Sequence, residues 1–229
     1  LGLAPHKKLI LAPVHKSTNT RKGFVFAAHA LAHLHEKLSP QQREDTVVAV
    51  FGQVDSDGAD KMPYPFETVK LGFIKNEETK ARIYKAADVT LVPSMQESLS
   101  VIASDSIRHG TPVACFDTSG LAYFVRHRAN GFLARPYDAE DLSRGLYWAF
   151  FQSNAPAVRK AAIQLGRELF DPKTNTELFE GAIANAIEKY HVTEFDKDFF
   201  QEISEFTDKV SEVNRFHHIY RRNLEKKAS

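Results

Sequence analysis

Apolar runs alternate with amphipathic stretches along most of the chain. Several of the runs are apolar without alternation, which indicates strands buried on both faces of a parallel sheet. The spacing of apolar positions predicts helices over residues 22–38, 77–86 and 97–109, the last ending at Gly110. Predicted strands cover residues 9–14, 47–51, 69–73, 88–93, 112–116 and 131–134.

This order of elements predicts a doubly wound α/β domain of the Rossmann-like type over residues 1–171. Ligands of such sheets bind beyond the carboxyl ends of the strands, where loops lead into helices. The positions just after residues 14, 52, 73, 93 and 116 are therefore the places to look for functional side chains.

The remainder, residues 172–229, differs in composition. It contains no proline after Pro172 and no glycine after Gly181, so a helical C-terminal extension is predicted. Its charge is segregated, with acids concentrated in residues 194–212 and bases in residues 215–227. The basic end suggests either a solvated helix face, a dock for another domain, or peripheral contact with anionic lipid.

Composition excludes several classes of protein. The 229 residues carry 30 Lys+Arg against 29 Asp+Glu, so the net charge of +1 does not favour binding to nucleic acid. A single cysteine, Cys115, excludes an intramolecular disulfide. Asp55-Ser56-Asp57 follows Gly52 as a turn would, and His217-His218 lacks a third ligand, so no metal site is predicted.

A basic segment follows the first predicted strand. Lys16, Arg21 and Lys22 lie within seven residues that contain no acid. With Thr20 as the N-cap of the next helix, Arg21 and Lys22 would occupy a first turn whose dipole disfavours cations. Gly23 would weaken the same helix further. A bound anion would make this arrangement favourable, and the alternative is a solvated basic turn.

A pair of acids follows the fourth predicted strand. Glu97 stands at the mouth of the predicted helix and Asp105 eight residues later, about 12 Å along a helix axis. That separation suits two hydroxyl contacts to an extended ligand rather than two carboxylates acting on one bond. The alternatives are a capping box formed by Ser94 and Glu97, and a surface ion pair of Asp105 with Arg108.

Together these segments resemble the C-terminal, nucleotide-sugar-binding half of a retaining GT-B glycosyltransferase of family 4, the "glycosyl transferases group 1" type. The resemblance covers about residues 8–150 and lies in the ordered set of motifs. In order along the chain they are Lys16 with Arg21-Lys22-Gly23, Ala86-Ala87-Asp88-Val89, Pro93-Ser94-x-x-Glu97, Gly110-Thr111-Pro112-Val113, and Asn130-Gly131-Phe132-Leu133-Ala134.

The resemblance implies a role for each matching residue. Lys16 and Lys22 would contact the donor diphosphate, with Arg21 beside them, and Glu97 would lie near the donor sugar. Ser98, Leu99 and Ser100 would offer backbone N–H groups at the helix N-terminus. Asp105 takes the position of the acid that bonds the ribose, Phe73-Ile74 the place where the base packs, and Thr118-Ser119-Gly120 the loop that closes the pocket.

Four positions depart from the family pattern. Lys16 stands where the family has Arg, which keeps the charge but loses bidentate phosphate recognition. Asp105 is one methylene shorter than the usual Glu, and His15 and Ser100 replace frequent glycines. These departures keep a second hypothesis open: a non-catalytic Rossmann-like module that binds a nucleotide or a partner.

In enzymes of this type the sugar leaves with retained configuration and the departing phosphate helps to deprotonate the acceptor. Lys16, Lys22 and Glu97 would be the catalytic residues, acting on a UDP- or GDP-linked hexose without a cofactor or metal. The acceptor would be a glycan or a lipid-linked acceptor, in surface polysaccharide synthesis. The protein would lie in the cytoplasm, either free or in peripheral contact with the inner face of the membrane. The resemblance implies that a second, N-terminal GT-B domain is missing, so this chain alone would transfer little sugar.

Overall fold

The computed structural model describes residues 2–14, 20–52, 64–189 and 201. The chain divides into two compact units, Leu1–Asp171 and Pro172–Ser229. Within the second unit, helix α7 spans Pro172–Lys189, which agrees with the predicted helical character of this segment. The rest of the charged tail, apart from Gln201, lies outside the described residues.

The first unit is built on one six-stranded sheet. Every neighbouring pair of strands is parallel, and the spatial order is β3-β2-β1-β4-β5-β6. This order reverses between β1 and β4, as in Rossmann-like folds, so the predicted fold class is confirmed. The strands are β1 Lys8–Val14, β2 Thr46–Gly52, β3 Glu67–Gly72, β4 Val89–Val92, β5 Val113–Phe116 and β6 Gly131–Ala134.

Helices cover both faces of this sheet. They are α1 Phe24–Lys37, α2 Pro40–Glu44, α3 Glu77–Ala86, α4 Val101–Arg108, α5 Ala139–Tyr147 and α6 Ala155–Phe170. Short 3-10 turns lie at Thr20–Lys22 and Ser119–Leu121, and a π-helical turn at Trp148–Gln152. The spacing of apolar positions does not predict three of the described helices, α2, α5 and α6.

Alternate residues of the central strands enter different cores. In β1, Ile10 packs in the cluster that contains α1 and α5, whereas Leu11 packs in the cluster that contains α3. Cys115 in β5 lies in a third cluster, beneath α4 and α6, and its burial raises the pKa of its thiol. The continuous apolar runs therefore have their predicted cause, because both faces of the central strands are covered.

The third strand differs from the prediction. It spans Glu67–Gly72, lies at the edge of the sheet beside β2, and has only two half-buried residues, Val69 and Leu71. Edge strands of this kind alternate between covered and solvent-facing residues. The run around Val69 and Leu71 thus marks a strand correctly but not one buried on both faces.

Gly23, the residue just before α1, is packed directly against the end of β4. Gly23 caps α1 in the left-handed conformation, with φ of 70°. A Cβ at this position would lie 1.8 Å from the carbonyl oxygen of Pro93, a distance no side chain tolerates. Because only glycine permits both this φ and this contact, Gly23 lets the two corners meet.

We expect Gly23→Ala to lower the free energy of unfolding by about 2–5 kcal/mol, measured by urea denaturation. The reason is a left-handed alanine combined with a backbone clash. Gly72→Ala is the matched control, because Gly72 has φ of 65° but nothing within 4 Å of its added Cβ. It should cost only about 1–2 kcal/mol. Equal losses in the two variants would contradict the close approach of Gly23 to Pro93.

Candidate functional site

The candidate site lies where the order of the strands reverses. Strands β1 and β4 are neighbours in the sheet, yet their following helices, α1 and α4, pack on opposite faces. Ligands of Rossmann-like sheets bind at such a reversal, beyond the carboxyl ends of the two strands. Lys22 ends the 3-10 turn after β1, and Glu97 lies in the loop after β4.

The structure brings Lys22 and Glu97 together. Lys22 Nζ donates a hydrogen bond to Glu97 Oε1 at 2.7 Å. The two side chains are 20% and 13% exposed, so the ion pair is partly withdrawn from water. A lysine ammonium has three donors, and this is its one hydrogen bond within the described part of the chain. The remaining N–H groups are available to ligand oxygens.

One local prediction at this site, and one of the alternatives, are wrong. Thr20 does not cap α1: Thr20, Arg21 and Lys22 form a separate 3-10 turn, and Gly23 is the cap. The two cations therefore lie ahead of the helix rather than in its first turn. The capping box of Ser94 with Glu97 is also absent, because α4 begins only at Val101 and Glu97 is committed to Lys22.

Backbone contacts hold the two loops and a third one in register. The N–H of Met95 donates to the carbonyl oxygen of Arg21 at 2.8 Å, which ties the β4 loop to the β1 turn. On the other side, Ser119 Oγ accepts from the N–H of Glu97 at 3.0 Å. The N–H of Gly120 donates to the Glu97 carbonyl oxygen at 2.8 Å. The loop after β5 thus packs against the Glu97 segment.

An open cleft of about 490 Å³ lies beside the ion pair. Among its walls are Arg21 and Gln96, the chain neighbours of Lys22 and Glu97. Ser119 and Tyr137 also line it, with φ of 46° and 62° respectively, in the left-handed region that non-glycine residues rarely adopt. Such strain is concentrated at functional sites, because selection maintains it only where geometry matters. The cleft is large enough for a small polar ligand.

The three residues after Glu97 occupy different environments. Ser100 is buried and is the N-cap of α4, where its Oγ accepts from the N–H of Ala103 at 3.3 Å. Leu99 is 57% exposed. The carbonyl oxygen of Ser98 would lie 2.1 Å from a Cβ on Gly120, so this loop also needs a glycine opposite it. None of the three is among the residues that line the cleft.

Phe73 and Ile74 follow β3, which is separated from β4 by the two strands β2 and β1. The ring of Phe73 is 67% exposed, while Ile74 packs partly against the core beneath α3. An exposed aromatic ring at the carboxyl edge of a sheet can stack on a planar ligand group. Phe73 and Ile74 likewise do not line the 490 Å³ cleft.

Asp105 is placed differently from the expectation. Residues 97–100 are not helical, so the 12 Å helical separation from Glu97 does not apply. The Asp105 carboxylate, 13% exposed, lies 3.4 Å from Lys80 Nζ and 3.9 Å from Arg108 Nη1. The hydrogen bond from Lys80 to Glu77 and the charge of Asp105 raise the pKa of Lys80. The pairing with Arg108 was one of the alternatives, and Lys80 is an additional partner.

Some predicted residues lie outside the described part of the chain. Lys16 and the adjacent His15 are among them, as are Asp55-Ser56-Asp57 and His217-His218. Within residues 2–14, 20–52 and 64–189, no three His, Cys, Asp or Glu side chains cluster as metal ligands would. No described helix is long and apolar enough to cross a membrane.

Sequence reasoning missed two residues that the geometry singles out. Tyr137 lines the cleft from the segment after β6, and its only sequence signal is its place beyond a strand end. Lys80 stands on α3 and reaches Asp105 on α4, a contact between helices that local spacing does not reveal.

A family model and two similar proteins of known sequence all carry the description of a glycosyltransferase. The family model described as "Glycosyl transferases group 1" matches residues 3–169. A D-inositol 3-phosphate glycosyltransferase of Acidothermus cellulolyticus is 36% identical over 108 residues, which are 47% of this chain and 19% of that protein. An uncharacterized glycosyltransferase of Methanocaldococcus jannaschii is 32% identical over 80 residues, 35% of this chain and 20% of its own length.

Solved structures share the fold. A sucrose-phosphate synthase from Thermosynechococcus elongatus superposes with a TM-score of 0.66 at 22% identity, over 82% of this chain and 47% of that one. Anabaena HepE, crystallised in complex with UDP and glucose, gives 0.62 at 16% identity, over 79% and 49%. The chain therefore spans about half the length of these proteins.

We expect a double-mutant cycle of Lys22→Met and Glu97→Gln to give a coupling energy of about 1–3 kcal/mol in urea unfolding. That range lies between exposed pairs and fully buried ones. The control cycle uses Arg82 and Glu78, a pair 2.6 Å apart whose side chains are 77% and 73% exposed. It should give no more than about 0.5 kcal/mol. Indistinguishable coupling energies would show that the Lys22–Glu97 pair is a solvated surface contact.

Proposed function

The chain belongs to the glycosyl transferases group 1 family, and from this membership we propose that its first unit binds the nucleotide-diphosphate sugar donor of a retaining glycosyltransferase. The supporting observation is the partly buried pair of Lys22 with Glu97 at the reversal of strand order. That position is where Rossmann-like sheets hold their ligands. A cation beside an acid also suits a ligand that carries phosphate next to sugar hydroxyls.

The proposed chemistry assigns different work to the two side chains. The bond between the sugar C1 and the diphosphate oxygen breaks, and a bond from C1 to the acceptor oxygen forms on the same face. The acceptor proton passes to the departing phosphate. Lys22 stabilises the negative charge that grows on the diphosphate, with Arg21 beside it and Lys16 in the undescribed segment. Glu97 accepts hydrogen bonds from sugar hydroxyls and keeps the Lys22 ammonium in position.

The nucleoside would extend from this cleft towards α3. We place the ribose at Asp105, whose carboxylate is held by Lys80, and the base against Phe73 and Ile74. Because the ammonium of Lys80 also bonds Glu77, it fixes the shorter aspartate arm between two helices. The backbone N–H groups around Ser98, Leu99 and Ser100 would complete the donor site next to the sugar.

The proposed enzyme needs a second domain to supply the acceptor. Exposed apolar side chains concentrate on the loops and helix starts beyond the strand ends, at Val25, Phe73, Leu99, Val101 and Tyr137. Each is 49–67% exposed, a pattern typical of surfaces that another molecule covers. An N-terminal GT-B domain seated there would close the donor cleft and exclude water, so this chain alone would transfer little sugar.

We also propose a donor, an acceptor and a location for the reaction. The donor is a UDP- or GDP-linked hexose and acts as substrate without a cofactor or metal. The acceptor is a glycan or a lipid-linked glycan, and the product enters a surface polysaccharide or glycolipid. The reaction takes place in the cytoplasm, at the inner face of the membrane, with the basic residues 215–227 as a peripheral contact.

We expect the 229-residue chain to bind UDP or GDP in a calorimetric titration, and Lys22→Ala to weaken that binding about tenfold or more. The loss reflects one charge-assisted contact to phosphate. Lys85→Ala removes an exposed lysine of α3 and serves as the matched control, with affinity unchanged within about twofold. The donor-site assignment would be overturned if the chain bound neither UDP nor GDP, or if the two variants lost nucleotide affinity equally.

Asp105 permits a separate prediction about the nucleoside end. Asp105→Asn should weaken UDP binding about three- to tenfold, because a ribose hydroxyl loses a charged acceptor. Binding of pyrophosphate, which has no ribose, should stay within about twofold. Glu78→Gln is the control on the exposed face of α3. A parallel loss of pyrophosphate affinity in Asp105→Asn would show that the residue acts through the fold and not on the ribose.

A further inference from the structure

A second cavity lies away from the 490 Å³ cleft, at the edge of the sheet formed by β6. Its volume is about 770 Å³, and its walls come from β6, α5, the end of α1 and the loop before β6. Among the described residues β6 is hydrogen-bonded as a strand only to β5, so the cavity is two strands removed from β4. Volumes of this size accommodate small ligands.

The loop before β6 is built around a buried amide. Asn130 is 1% exposed; its Oδ1 accepts from the N–H of Arg126 at 2.6 Å, and its Nδ2 donates to the carbonyl oxygen of Phe124 at 3.0 Å. The loop then folds back on β6, where Arg128 N–H donates to the Gly131 carbonyl oxygen at 2.7 Å. His127 and Arg128 are thereby fixed at the cavity wall.

Arg128 is held in an unfavourable backbone conformation. Its φ is 61°, and of the three described non-glycine residues with positive φ, the other two, Ser119 and Tyr137, line the proposed donor cleft. The Arg128 guanidinium lies 5.9 Å from the centre of the Phe132 ring. Within the described part of the chain no carboxylate comes within ion-pair distance of it. Strain of this kind indicates a selected position.

His127 adds a directed donor. Its Nδ1 accepts from the N–H of Leu133 at 3.2 Å, so the neutral ring carries its proton on Nε2. That bond also satisfies an amide of the free edge strand. The imidazole packs 4.6 Å, centre to centre, from the ring of Phe132. The Nε2 proton is thus available for a ligand in the cavity.

The far wall contains more cations than acids. Lys37, Arg135 and Arg144 line it, with Asp141 as the one acid in the lining. Asp141 is 12% exposed and lies 3.0 Å from Arg144 Nη1 and 3.6 Å from Arg135 Nε. One carboxylate thus orients two guanidinium groups, and each has five donors of which these contacts use few. Asp138 and Glu140 pair with the same cations but do not line the cavity.

A second irregularity flanks the same cavity. The π-helical turn Trp148–Gln152 follows α5. Tyr147, the last residue of α5, and Gln152, the last residue of the turn, both line the cavity. π-helical turns are rare in proteins, and those that occur often lie at functional sites. A strained arginine and a π-turn, distant in sequence, converge on one cation-rich space.

We propose that this second cavity binds a ligand carrying a phosphate monoester, with Arg128 as the principal contact and Lys37, Arg135 and Arg144 as further donors. Guanidinium groups in fixed orientation suit the tetrahedral oxygens of phosphate. The size of the cavity leaves room for a sugar-sized group beside the aromatic ring of Tyr147. Two sources share this chemistry, a water-soluble sugar phosphate and the head group of an anionic lipid.

The chain contains its own reporter for this site. Trp148 is the single tryptophan of the sequence, is 5% exposed, and lies 6.1 Å, centre to centre, from the ring of Phe132. We expect its fluorescence to change saturably on titration of the 229-residue chain with glucose 6-phosphate or with phosphatidic acid vesicles. Inorganic phosphate should compete in either case. A response to the soluble probe alone identifies a metabolite site, and a response to vesicles alone a membrane contact.

Two variants make the test specific. Arg128→Asn removes the guanidinium but keeps a residue that tolerates the left-handed conformation, and should weaken binding at least tenfold. Arg126→Gln is the control: it removes the same charge two residues before Arg128, from a side chain that does not line the cavity. Its affinity for the probe should stay within about twofold of the unchanged chain. The proposal is overturned if none of the probes gives a saturable response, or if the two variants lose affinity equally. It is also overturned if UDP displaces the probe and Lys22→Ala abolishes that displacement, because the probe would then occupy the donor site.

Discussion

The approach of the β1 corner to the end of β4 is the constraint on which the proposed donor site depends. Gly23 allows the backbone to pass against the carbonyl of Pro93, and the N–H of Met95 then bonds the carbonyl oxygen of Arg21. Only with the corners this close can Lys22 reach Glu97 across the reversal of strand order. Gly120 repeats the device on the other side, where it lets the β5 loop pack against Ser98. Glycine contacts between loops thus position the charged groups.

The sequence predicts most of the sheet because burial on both faces leaves a continuous apolar record, as in β2 and β5. It predicts the site region for a similar reason, since polar side chains after buried strands gather at one edge. It fails where local rules compete with contacts that are distant in sequence. Ser94 and Glu97 match a capping box, but Lys22, 75 residues away from Glu97 in the chain, takes the carboxylate.

Contacts between distant parts of the chain also explain why the sequence does not predict the main partner of Asp105 or the conformation of Arg128. Asp105 has a local partner in Arg108, which spacing suggests, but the shorter contact is to Lys80 on a different helix. Arg128 carries no sequence signal, because nothing in its neighbours reveals a positive φ or a cavity beside it. Both features arise from the packing of helices and loops after the sheet has formed. Neither feature can therefore be predicted from the spacing of residues along the chain.

The way the loop before β6 folds back has a consequence for how the protein associates. An unpaired edge strand exposes amides and carbonyls that invite another strand to add to the sheet. Here the His127 imidazole and the Arg128 amide already engage Leu133 and Gly131. The edge is therefore blunted against strand addition and edge-to-edge aggregation.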